Sequence, residues 1–313
     1  MNQSEESGYR PLFQQWDNRS WVRSKPRRTG AFASELHYFS PDLCPLFAHP
    51  EVRAAPEQVR EEILVHSLYV YLEFTVQLEL GPVNETCLML HRPDFCPWLS
   101  AEMKEDLLRI YTDEAAHAEM SHTLLATVRD HTGVEPIPHR PFFLQELSRL
   151  YATELPVYRP LVKLFFSIVS ETLITGSLTK LPKDPSVQRV VRELAADHAM
   201  DEGLHHAYFR RLFKSLWPKM PAPLRTKIGV VLPEIILAFL RPDEAAMTHM
   251  LAGHPDVFED PARVVTETVE LPRVRQGVVD NATPTLRMLA QEGAFSDPAI
   301  SAAFDKHGLR RSA

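Results

Sequence analysis

Apolar residues recur at helical spacing through most of the chain, and nowhere do they alternate with the period of a strand. The first fifty residues carry Trp16, Trp21, Arg23, Arg27 and Arg28 without a clear period and read as an irregular arm over a core. After Pro56 the pattern becomes regular. Val59, Ile63, Leu64, Tyr69 and Leu72 define a helix from Gln58 to about Leu80, which Pro82 kinks or ends, with a shorter run on to Leu90. A second long helix starts at a Ser100 N-cap and runs to Gly133. Pro136, Pro138 and Pro141 mark a linker, and a segment from Phe142 to about Leu155 follows. A third long helix, about Val157 to Lys180, is apolar almost all round and therefore expected to be buried. A fourth opens at Asp184-Pro185, as N-cap and N1, and continues to Leu216 before Pro218. Runs at Ala222–Leu240 and Asp243–Leu251 lead into a more polar, proline-punctuated last third. The expectation is an all-α, ferritin-like four-helix bundle with additional N- and C-terminal helices. It forms one domain over residues 1–313: an arm at 1–55, a core bundle at about 58–217 and a C-terminal wrap at 218–313.

Composition narrows the function. With 41 acidic against 34 basic residues the net charge is −7, which argues against nucleic acid or an anionic membrane as the main partner. No apolar stretch is long enough to span a bilayer and the polar start is unlike a signal peptide, so a cytoplasmic protein is expected. Cys44, Cys87 and Cys96 are too few for a four-thiolate zinc site. The 11 glycines supply neither a GxGxxG fingerprint nor a P-loop, and no flavin or iron–sulfur motif is visible.

The chemistry lies inside the long helices. Glu-x-x-His occurs three times, at Glu114/His117, Glu119/His122 and Glu202/His205, where roughly one occurrence is expected by chance. The i, i+3 spacing puts both side chains of a pair on one helix face. Glu119 lies about 140° around the helix from Glu114, so the middle pair belongs to a solvated or peripheral face. The other two pairs sit mid-helix, where an unpartnered carboxylate costs several kcal/mol. Glu79 and Glu171 each stand in a strongly apolar stretch of a further helix; Glu73 falls on the opposite side from Glu79. One Glu from each of two helices and one Glu-x-x-His from each of two others is the ligand set of a carboxylate-bridged dinuclear metal site. Two divalent ions would neutralise its four carboxylates. His198 is four residues before Glu202 and seven before His205, on the same face, and is favoured as a third nitrogen ligand.

The sequence His198-x-x-x-Glu202-x-x-His205, behind Glu79, Glu114-x-x-His117 and Glu171, resembles the di-iron N-oxygenases typified by 4-aminobenzoate N-oxygenase and the chloramphenicol-pathway arylamine oxygenase. The resemblance is strongest between about Gln58 and Phe213 and implies that these seven residues bind two iron ions, with manganese as a substitute. It implies that O2, reduced to a peroxo bridging two ferric ions by an external electron donor, oxygenates an arylamine or amino-acid-derived amine in secondary metabolism, in a chain that could be a homodimer. Asp201 is expected to orient His117, and Asp113 to orient His205. A substrate carboxylate would call for an arginine, with Arg273, Arg275 and Arg287 as candidates. Two other classes compete: a di-iron C–H hydroxylase or desaturase, against which His198 speaks, and a ferritin-like iron-binding protein, against which chain length speaks.

Overall fold

The computed structural model describes residues 9–173 and 178–310. Among these the secondary structure is helical, and the only β pairing is a single bridge between His37 and Val187. Helix α1 (Glu57–Leu78) passes into a π-helical turn at Glu79–Val83 and then α2 (Asn84–His91). Further on come α3 (Ala101–Thr132), α4 (Phe142–Thr153), α5 (Arg159–Leu173) and α6 (Arg189–Leu216). The helices α1, α3, α5 and α6 pack as the bundle. Over it lie α7 (Ala222–Gly229), α8 (Leu232–Leu240), α9 (Glu244–Ala252), α10 (Pro261–Glu270), α11 (Pro272–Gln291) and α12 (Pro298–Lys306). No helix among the described residues is long and apolar enough to cross a membrane.

Local chemistry explains the boundaries. The Ser100 hydroxyl accepts from the Met103 amide, and Gly133 ends α3 at φ 69°, a conformation that costs glycine little. Pro82 has no amide hydrogen and Gly81 is non-helical, at φ −89° and ψ −105°, so the first helix widens into the π turn rather than stopping. The Pro82 carbonyl accepts from Ser167 Oγ of α5 at 2.9 Å. Prolines in the last third open helices: Pro261, Pro272 and Pro298 each stand at a first position.

Several expected boundaries move. The fourth bundle helix starts at Arg189, not Asp184. Asp184 accepts instead from the Ser186 amide at 3.0 Å and Ser40 Oγ at 2.5 Å, and the Gln188 amide hydrogen goes to the His37 carbonyl. The third helix begins in a 3-10 turn at Pro156–Tyr158, and residues 174–177 of its expected span lie outside the described residues. The run from Ala222 to Leu240 is two helices, since Pro233 cannot donate within a continuous one. The arm, expected to be irregular, contains short helices at Trp16–Arg19 and Trp21–Ser24.

Two apolar clusters flank the bundle's middle. One gathers Phe165, Phe166, Phe209 and Phe213 with residues of α8 and α11; the other gathers Leu64, Leu68 and Leu72 with residues of α6, α9 and α10. The polar side chains of the next section lie on the same four helices and are as deeply buried as these cores.

Candidate metal centre

Glu79, Glu114, His117, Glu171, His198, Glu202 and His205 converge, and each is no more than 1 % exposed. They form two groups whose donor atoms lie within 4.8 Å of one another: Glu79, His117, His198 and Glu202 in one, Glu114, Glu171, Glu202 and His205 in the other. Glu202 belongs to both groups. The π turn carries Glu79 to the cluster, whereas Glu73 bonds Gln77 at 2.8 Å. Glu119 forms an exposed ion pair with Arg27, and His122 is exposed.

The side chains approach without satisfying one another. Glu79 Oε1 is 2.9 Å from His198 Nε2, and His205 Nδ1 is 3.0 Å from Glu114 Oε1. Yet both oxygens of Glu79 and of Glu114, one each of Glu171 and Glu202, and His117 Nδ1 have no hydrogen-bond partner. Buried polar groups are ordinarily paired, so lone pairs that share a point in space rather than a proton fit bound cations. Oxygen and imidazole donors without thiolate suit iron or manganese.

Electrostatics in the metal-free cluster point the same way. Burial, partly offset by His198, pushes Glu79 up to about 7. Burial and then the Glu202 and Glu114 carboxylates raise Glu171 well above the usual carboxylate range. Burial would also raise Glu202, but His205 and His198 overcome it and hold Glu202 well below that range. Burial would lower His117 and His205; the surrounding carboxylates raise both well above the ordinary imidazole value. Without cations the site therefore holds its charge only by retaining protons, which metal binding would displace.

Two carboxylates fix two of the rings. Asp201 Oδ2 lies 3.2 Å from His117 Nε2, and Asp113 Oδ2 lies 3.4 Å from His205 Nε2. Each leaves the ring's Nδ1 towards the cluster. The sequence gives no hint of what holds these aspartates. Trp16 Nε1 donates to both oxygens of Asp113 at 2.9 Å and Ser20 Oγ donates at 2.6 Å, while the Trp21 amide donates to Asp201 at 3.1 and 3.2 Å. The arm is pinned at both ends by further aspartates of α3 and α6. Tyr9 reaches Asp106 at 2.6 Å, and Lys25 and Arg28 reach Asp197 at 2.7 and 2.5 Å.

Tyr71 lies two helical turns before Glu79, in an apolar stripe where the sequence pattern alone reads an aromatic as core. Its hydroxyl is buried with no partner, and burial together with Glu79 and Glu202 raises its pKa far above normal. Its ring lines a cavity of about 310 Å³ walled by Phe39, Phe74, Phe143 and Phe239. Arg273 donates to the Phe47 carbonyl and Arg275 pairs with Glu270, both outside this cavity; Arg287 lines a separate groove with His206 and Thr172.

Comparison with known families returns a match over residues 2–293 to the family described as P-aminobenzoate N-oxygenase AurF. Comparison with curated proteins returns no match.

Proposed function

The chain belongs to the P-aminobenzoate N-oxygenase family, an oxidoreductase family of di-iron N-oxygenases, and from that premise we propose that it oxygenates an amine nitrogen at the buried seven-residue cluster. The first step balances as R–NH2 + O2 + 2 e⁻ + 2 H⁺ → R–NHOH + H2O. Two iron ions, when bound, supply the binding and reduction of O2, and manganese is the substitute the donor set admits. Glu79, Glu114, His117, Glu171, His198, Glu202 and His205 hold them, with Asp201 and Asp113 orienting two of the histidines. The amine occupies the aromatic cavity beside Tyr71, whose hydroxyl is influenced by Glu79 and Glu202; Phe39, Phe74, Phe143 and Phe239 wall the cavity, and Lys180, Arg241, Asp243 and Asn281 add polar groups to its lining. Arg273, Arg275 and Arg287 remain candidates for a substrate carboxylate, of which Arg287 shares a groove with Thr172 of α5, the residue after Glu171, and stands two residues from Thr285, which bonds Thr172 at 2.8 Å. The electrons come from a separate donor. We read residues 1–313 as one domain, cytoplasmic and able to form a homodimer, serving secondary-metabolite biosynthesis.

The observation that carries this reading is the set of buried carboxylate and imidazole atoms without hydrogen-bond partners. Elemental analysis should find about two irons per chain, in line with a dinuclear carboxylate site. Adding O2 to the ferrous protein should produce a visible chromophore that decays faster with an arylamine, yielding hydroxylamine. Iron that oxidises to a product indifferent to amines would refute the proposal.

A further inference from the structure

A cationic stripe runs along the outer face of α6 on a chain that is acidic overall. Arg10, Lys219, Arg211 and Lys214 line one groove; Arg211 and Lys214 continue with Arg210 into a second, and Arg210 with Arg287 into a third. All six are exposed, and among the described residues none forms an ion pair. Arg210 donates to Gln291 and Arg211 to the Arg10 carbonyl, both at 2.8 Å, so these heads are held by neutral partners. Glu292 is the one carboxylate among the lining residues. Elsewhere some surface arginines, such as Arg149, Arg189 and Arg263, pair with acids, whereas others, such as Arg159 and Arg273, donate to backbone carbonyls; what sets the stripe apart is six cations together with one carboxylate among them.

The floor of this stripe adjoins the cluster. His206 and Thr172 line the third groove and directly follow His205 and Glu171 in the chain. The His206 ring bonds the Glu171 backbone. From His206 to Lys219 the stripe extends about 20 Å at the helical rise, too long for one small anion and of the order of a small electron-transfer interface.

We propose that this stripe is the docking surface for an acidic one-electron carrier protein, an inference that rests on the N-oxygenase reading. The reaction consumes two electrons that neither the amine nor a group built into the sequence supplies, so a reduced carrier must come close to the metals. Six unpaired cations over a floor one residue from two metal-holding side chains meet both needs, steering an acidic partner and ending the path at α5 and α6. Two dockings, each giving up one electron from an iron–sulfur carrier, provide the pair.

The test uses the full-length, iron-loaded, oxidised protein without oxygen. Stopped-flow absorbance follows its reduction by a reduced acidic [2Fe–2S] ferredoxin and, separately, by methyl viologen radical. Wild type should be reduced by the ferredoxin at a rate that falls as salt rises, and R210E/K214E should be slower by about tenfold or more at low salt. Viologen should reduce both proteins, since neither residue touches the cluster. Equal ferredoxin rates in wild type and R210E/K214E overturn the proposal, as does a wild type that viologen reduces and ferredoxin does not. Duplex DNA that displaces the carrier at comparable concentration also overturns it, assigning the stripe to nucleic acid. A protein without iron, or one that viologen cannot reduce, overturns the N-oxygenase reading itself and is recognised before any carrier is added.

Discussion

Replacing Asp201 by Asn asks whether the carboxylate next to His117 controls how that ring presents itself. Asp201 accepts from His117 Nε2 at 3.2 Å and from the Trp21 amide at 3.1 and 3.2 Å, while His117 Nδ1 faces the cluster, 3.6 Å from both Glu114 and Glu202. Asparagine offers one acceptor oxygen where aspartate offers two. Its NH2 must meet either the Trp21 amide, donor against donor, or His117 Nε2, which then becomes an acceptor and moves the ring proton to Nδ1. The second outcome removes the lone pair a metal needs. Losing a charge-assisted bond of about 1.5–3 kcal/mol corresponds to roughly 10–100-fold weaker metal binding. Competition between the protein and a chelator for ferrous or manganous ion measures it. Asp197→Asn is the control: it deletes a buried carboxylate one turn earlier on α6 that bonds Lys25 and Arg28 instead of a histidine. If D201N and D197N lose the same affinity, the charge matters and the ring orientation does not, and the reasoning fails.

Substitutions at three further positions separate other contributions. Burial and the neighbouring carboxylates raise Glu171 well above its ordinary value of 4.5, so the metal-free folded protein keeps a proton that the unfolded chain releases. Stability from that group is present below about pH 4.5 and is lost as pH rises, by up to ~1.4 kcal/mol per unit. Metal-free Glu171→Gln should therefore match wild type at the acid end and exceed it at pH 8 in urea titrations; parallel stability curves would contradict this. Ser20→Ala deletes a 2.6 Å donor to Asp113 and should cost about 1.5–3 kcal/mol of metal-free stability, whereas Ser20→Thr keeps the hydroxyl and should recover most of it. Tyr71→Phe removes a hydroxyl with no partner, so melting should be unchanged or higher while amine KM rises about tenfold; an unchanged KM would remove Tyr71 from the amine's surroundings.

Helical spacing carries a face, and the convergence of the cluster residues was legible wherever a face was the whole question. Glu114 and His117, or His198, Glu202 and His205, share a side of one helix whatever packs against it. What spacing cannot carry is a partner distant in the chain. Trp16 and Ser20 reach Asp113 across more than ninety residues from a stretch with no period. The start of α6 differs from the local pattern for the same reason: Asp184-Pro185 has the chemistry of a helix start, but the Asp184 side chain is taken by Ser40 and Ser186, Gln188 is held by Ala33 and Leu36, and the helix begins at Arg189. At Pro82 the sequence carries a break in the α-helical bonding but not whether the helix stops or widens; in the fold it widens into the π turn, with the Pro82 carbonyl taken by Ser167 Oγ of α5.

The three histidines are not equivalent, and the difference is measurable. His117 and His205 are each held through Nε2 by an aspartate that the N-terminal arm in turn holds. His198 faces Glu79 and Glu202 through Nε2, at 2.9 and 3.2 Å, and its Nδ1 is buried without a partner. Its ring is instead packed against His117, with centroids 4.2 Å apart. A ligand whose far nitrogen is unanchored has more orientational freedom to lose on binding and lacks the basicity a carboxylate confers. His198→Ala should then weaken metal binding by about tenfold, and His117→Ala or His205→Ala by at least tenfold more, in the same chelator competition. Imidazole added to His198→Ala should restore part of the loss, since the ligand it replaces was held by packing. Equal losses at all three positions would mean that the aspartates and the arm above them contribute nothing to the hold on metal.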